Sequence, residues 1–180
     1  MVYNGGFKMS KFFLIILLFI PILSFAQQEE VKENQEDVMI YLKTGKSIGH
    51  FTNDKNISMS SIGYTRYSGS FIYGIEYSSF FGTTTETRIQ NFQVVAGYRH
   101  LWTKRFLPYV QFQFGQSSLN IPNTTSYDGI ATTLDVGLDV VKIFKIKTST
   151  GVRTTQMIFS NDTIKNGSFT DLYLTFGFVF

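Results

Sequence analysis

The chain of 180 residues contains no cysteine, three prolines, one tryptophan and two histidines. Without cysteine no disulfide scaffold can exist, and no lipoprotein signal either, since that needs a thiol to carry the lipid. Charge is also scarce. Asp, Glu, Lys and Arg make up 16% of the residues, against about 25% in soluble globular domains. The formal net charge is +3. The basic residues are scattered, which excludes a nucleic-acid footprint. A hydrophobic share of 43% excludes disorder. After residue 26 no apolar run approaches the ~20 residues of a membrane helix. Aromatic residues are abundant, with 19 phenylalanines and 10 tyrosines among 180 positions. The length fits one domain, and this composition leaves an all-β chain with an oily exterior as the reading to test.

The N-terminal segment reads as an export signal. Lys8-Met9-Ser10-Lys11 precedes an apolar core from Phe12 to Ile20, and Ser24 and Ala26 occupy the small-residue positions of a signal peptidase site. The apolar core is half of a membrane span, so the expected cut falls between Ala26 and Gln27. The less favoured reading is an uncleaved membrane anchor. Met9 offers a second start, which would leave residues 1–8 upstream of the protein. The segment 27–37, QQEEVKENQED, holds five acids and one lysine without an apolar face. It reads as an acidic flexible tail. Residues 38–180 carry thirteen Lys/Arg and eight Asp/Glu, so the tail brings the exported chain close to neutral, at +1.

From Val38 onward hydrophobicity alternates with a period of two, the signature of strands. Leu172, Leu174, Phe176, Phe178 and Phe180 share one face of the last segment, and Asp171, Tyr173, Thr175, Gly177 and Val179 the other. The segments near 70–80, 91–100, 106–115 and 129–140 repeat this pattern. Weaker versions cover 38–51, 58–67 and 145–159. Eight strands result.

The sense of the faces decides the environment. A soluble barrel turns its oily face inward, whereas a membrane barrel turns it outward. Every strand carries glycine on its polar face, including Gly45, Gly49, Gly63, Gly74, Gly97, Gly115, Gly137, Gly151 and Gly177. Glycine weakens a strand and marks close approach. An eight-stranded barrel has room inside only for side chains, so these glycines are expected to make space for large charged ones. The same face supplies Lys43, Arg99, Lys147 and Arg153 together with Glu76, Asp135, Asp139 and Asp171. Four charges of each sign suit a closed interior charge network, because an unpaired buried charge is costly. A wet outer face of a soluble barrel is the alternative, but it explains the glycines less well.

Connections after odd strands (52–57, 81–89, 120–128 and 160–168) are longer and polar, and those after even strands are short. Aromatic residues gather at both strand ends: Tyr64, Tyr67, Phe71, Tyr73, Tyr98, Trp102, Phe106, Phe144 and Phe178 near the turns, and Phe51, Tyr77, Phe80, Phe81 and Phe114 near the loops. Loop asymmetry and two aromatic girdles are membrane-barrel features.

With these features the segment 38–180 resembles the small outer-membrane β-barrel proteins. The fold expected is an all-β, eight-stranded antiparallel up-and-down transmembrane β-barrel preceded by a cleaved signal peptide. The resemblance implies residence in the outer membrane of a Gram-negative cell, with outer-membrane lipids as surroundings. The ending LYLTFGFVF is similar to the signal read by the barrel-assembly machinery, carried by Leu172, Leu174, Phe176, Phe178 and Phe180. Extracellular partners would meet the loops. The family has no single activity.

Catalytic chemistry is thin. His50 and His100 fall at opposite barrel ends. His50, Thr52 and Asp54 could form a hydroxyl–histidine–acid set, similar to that of outer-membrane lipid deacylases, although those use serine on a later strand. No cluster has metal-ligand spacing, and Gly45-Lys46-Ser47 lacks the remainder of a phosphate loop. No enzyme activity, cofactor or metal is therefore expected. The favoured role is structural or surface-interacting, with a closed polar interior. The alternatives are an exported soluble small-ligand-binding β-barrel, an outer-membrane lipid-modifying enzyme and a narrow pore.

Overall fold

In the computed structural model the described residues are 36–47, 57–82, 87–100, 106–122, 126–160 and 167–180. Eight strands form a closed barrel in sequence order. They are β1 (Glu36–Ser47), β2 (Ile57–Ser68), β3 (Phe71–Gly82), β4 (Arg88–Arg99), β5 (Leu107–Asn120), β6 (Tyr127–Ile143), β7 (Ile146–Phe159) and β8 (Gly167–Val179). All neighbours are antiparallel, and β8 closes on β1. This is the all-β up-and-down barrel that the period-two pattern predicts. The export signal, with Ala26 and Gln27, lies outside the described residues. So do most of the tail and the residues His50, Phe51, Thr52, Asp54 and Trp102.

The pairing register fixes the shape. Starting at Asp37, partners run through Tyr67, Ile72, Gly97, Gln111, Asp135, Arg153 and Asp171, and return to β1 at Ser47, ten residues on. Such a stagger requires strands tilted by roughly 35–45° and leaves an interior that side chains can fill. The one register shift lies between Asp139 and Val141 in the β6–β7 ladder.

Some boundaries differ from the sequence reading. Strand β1 begins at Glu36, inside the segment read as tail, because Tyr67 and Ser68 of β2 offer partners to Asp37 and Glu36. Strands β3 to β6 extend into the expected loops, so the connections after β3 and β5 shrink to Thr83–Thr87 and Ile121–Ser126. The connection 100–106 on the opposite side is longer than either of these. Loop asymmetry is therefore narrower than the polar composition suggests: short polar stretches such as Arg88 to Gln90 are strand with their polar side chains outside. The other two even-strand connections are tight. They turn through Gly69 (φ 56°) and Phe144 (φ 53°), the latter an unusual left-handed conformation for a residue with a side chain.

Faces are sorted in the membrane sense over most of the wall. Leu42, Phe71 and Val94 point outward with 62%, 66% and 60% of their surface exposed. Ile62, Phe92, Phe112, Phe114, Val136, Leu172, Leu174 and Phe176 complete this belt. A soluble carrier barrel would bury these residues. Two outward threonines of β7 satisfy their hydroxyls locally: Thr150 Oγ1 donates to the Tyr173 carbonyl at 2.9 Å, and the Thr154 hydroxyl lies 3.2 Å from that of Thr170.

Candidate functional site

The eight charges singled out in the sequence are all buried inside the barrel. The structure divides them into two groups. Lys43, Glu76, Asp135, Arg153 and Asp171 meet at mid-lumen. Lys43 Nζ lies 3.1 Å from Glu76 Oε2 and 2.8 Å from Asp135 Oδ2. Arg153 Nη1 pairs with Glu76 Oε1, and Arg153 Nε lies 3.5 Å from Asp171 Oδ2. The strands supply these groups by register, since Asp135, Arg153 and Asp171 are consecutive partners across β6, β7 and β8. Nearer the short-turn end, Lys147 Nζ lies 2.5 Å from Asp139 Oδ2. There Arg99 donates to the Gly69 carbonyl at 2.9 Å, and both cations stack on the Tyr67 ring. Two cations and three acids occupy the centre, two cations and one acid the lower group, so the interior is neutral as a whole.

Sequence reasoning missed three tyrosines. Tyr41 donates to Glu76 Oε2 at 2.7 Å, and Tyr173 donates to Asp135 Oδ1. The Tyr109 and Tyr173 hydroxyls are 2.5 Å apart. Glycine makes these positions possible. A methyl group on Gly63 would strike the Tyr41 ring, and one on Gly137 would strike the Tyr109 ring. The room left by glycine is therefore filled first by aromatic rings, not directly by charged chains. Tyr41 shares Glu76 Oε2 with Lys43, and Tyr173 brings a donor to Asp135 Oδ1, the oxygen that Lys43 leaves free. These tyrosines were visible on the polar face of their strands; only their role was not.

The interior is not polar throughout, which corrects the expectation of a wholly polar core. Above the charges, Gln93 Nε2 donates to Thr133 Oγ1 at 3.1 Å, and Thr133 and Thr155 hydroxyls are 3.0 Å apart. Above that layer the lumen is apolar: Ile57, Met59, Phe80, Ile89, Leu119, Met157, Phe159 and Phe169 pack together. The Phe80 and Phe169 rings stack at 5.2 Å. Phe80 and Tyr67 thus lie in the lumen and not in the aromatic girdles. Outside this apolar plug the wall is mixed: Thr44, Ser60, Gln90, Gln116, Thr132, Gln156 and Thr170 face outward, together with Phe81, Ile130 and Ile158. The loop end of the barrel therefore carries more polar residues outside and more apolar ones inside than the middle of the wall, as expected near the boundary where water replaces lipid.

The described residues hold no group of three or more His, Cys, Asp or Glu able to bind a metal. His100 follows β4 and is exposed. His50, Thr52 and Asp54 cannot be placed, because they lie outside the described residues.

These features define a class: the chain has the fold of the small eight-stranded outer-membrane β-barrels. Among solved structures it is similar to Neisserial surface protein A, over 81% of this chain and 97% of that one, with a TM-score of 0.65 and 12% identity. It is similar to a de novo designed transmembrane β-barrel over 87% of this chain and all of that one, with a TM-score of 0.52 and 12% identity. The outer membrane enzyme PagL is matched over 78% of this chain and 98% of that one, with a TM-score of 0.52 and 10% identity. No family model and no curated protein matches the sequence.

Proposed function

We propose that the protein is an integral outer-membrane barrel with a sealed lumen, which holds its loops at the cell surface in a structural or surface-interaction role. The observation that carries this reading is the closed wall with an oily outside and a filled inside. A closed sheet leaves no unpaired edge in lipid, and the outward belt matches lipid, not water. Inside, the ion pairs, the amide–hydroxyl layer and the apolar plug stand in series across the lumen. Each of them narrows a water path, which supports a plugged barrel over a pore.

Assembly belongs to the same reading. The outward residues Leu172, Leu174, Phe176, Phe178 and Phe180 end the chain, and Phe180 exchanges backbone hydrogen bonds with Val38 at 2.9 and 3.4 Å. That strand both closes the barrel and presents the pattern the barrel-assembly machinery would read.

The test is heat-modifiable gel mobility of protein taken from the membrane fraction, followed by planar-bilayer recording. The expected outcome is a faster unboiled band and no conductance steps. A soluble periplasmic protein with identical boiled and unboiled mobility would refute membrane insertion, and discrete channel steps would refute the seal.

A further inference from the structure

The outer wall carries a groove of about 390 Å³ across β3 to β6. It sits where outward residues change from apolar to polar. Tyr77, Phe92 and Gln116 are register neighbours along one row, and Gln90, Ser118 and Asp128 along the next. All six line the groove. Gln90 Nε2 donates to the Tyr77 hydroxyl oxygen at 2.6 Å. That bond fixes the amide with its oxygen available to accept, and turns the tyrosine hydrogen outward to donate. Gln116, Ser118 and Asp128 supply the rest of its polar lining.

We propose that this groove binds the sugar headgroup of a glycolipid in the leaflet at the loop end, an inference that rests on the membrane reading above. Aromatic rings suit the C–H faces of a sugar, and two amides, two hydroxyls and a carboxylate suit its hydroxyl groups. The carboxylate of Asp128 repels phosphate, which argues against a phospholipid head in the groove itself. Arg88, the next outward residue above Gln90 on β4, stacks on Phe81 at 4.9 Å. It offers a contact to an acidic substituent on the sugar. Below the groove, Phe92, Val94 and Phe114 face outward, giving the acyl chains an apolar wall. A free sugar would leave that wall unused.

The test is native mass spectrometry of the folded barrel released from nanodiscs. The discs contain phosphatidylcholine with equal fractions of digalactosyl diacylglycerol and phosphatidylglycerol. Retention of the galactolipid is expected to exceed that of either phospholipid by roughly tenfold, the effect of one or two well-made hydrogen bonds. The double variant Gln116→Ala/Asp128→Ala should remove the preference. Ser60→Ala, an outward polar residue on β2 away from the groove, should keep it. Equal retention of all three lipids by the wild-type barrel, or preferred retention of phosphatidylglycerol, would overturn the proposal without any variant. Binding of free digalactose as tight as that of the lipid would identify a soluble glycan instead and overturn the lipid assignment. Unboiled gel mobility of the same samples separates these failures from failure of the membrane reading.

Discussion

At the level of single residues the fold depends on small side chains giving way to large ones. Alanine ordinarily suits a strand better than glycine by ~0.5–1 kcal/mol. At Gly137 the sign should reverse, because a methyl group there meets the Tyr109 ring and the Tyr173 hydroxyl. Gly137→Ala is expected to destabilise the barrel by roughly 1–3 kcal/mol, measured by urea unfolding in lipid vesicles. Glu76 accepts from Lys43, Arg153 and Tyr41. Glu76→Gln leaves two buried cations short of a carboxylate and is expected to cost about 3–5 kcal/mol. An unchanged midpoint would show that the central network is not structural. The eight charges were legible because alternation alone assigns a face. Their division into two groups was not, because it follows from a ten-residue stagger that no local pattern encodes. The role of the tyrosines was missed for the same reason: alternation places Tyr41 in the lumen, but its partner Glu76 lies two strands away and no local pattern brings the two together.

At the level of strands the sequence was most readable in the stretches Phe92–Tyr98 of β4, Val110–Phe114 of β5 and Leu172–Phe178 of β8, where outward residues are uniformly apolar. It was least readable near strand ends. There Arg88 and Gln90 face outward in water-like surroundings, while Ile89 between them enters the apolar plug. Strand and loop then share a composition, so boundaries slipped by several residues. The mixed polarity of the upper wall makes a prediction about depth. Val94→Arg, in the apolar belt, is expected to cost about 2–4 kcal/mol in bilayers, and Gln156→Arg, above it, about 0–1 kcal/mol. Unfolding of both variants in the same vesicles checks the difference, and equal penalties would misplace the belt. On β8, removal of Phe180 deletes two backbone hydrogen bonds to Val38 and the last outward aromatic. Slower conversion to the heat-modifiable form is the expected result, read by pulse-chase gel mobility.

For the whole molecule, scarcity of charge has a structural explanation. Lipid replaces water over most of the wall, and half the strand positions turn into a lumen that tolerates only paired charge. The barrel has the membrane sense through its lower and middle height, whereas at its loop end the lumen is apolar and the outer wall is mixed. The central claim is that the Leu42–Phe71–Val94 face meets lipid. Because the chain lacks cysteine, single cysteines at Val94 and Leu174 can be labelled with bimane in vesicles without background. Strong quenching by lipids brominated on the acyl chains, with no reaction toward a membrane-impermeant maleimide before labelling, is the predicted result. Unquenched labels at both sites, with rapid reaction from water, would contradict the account.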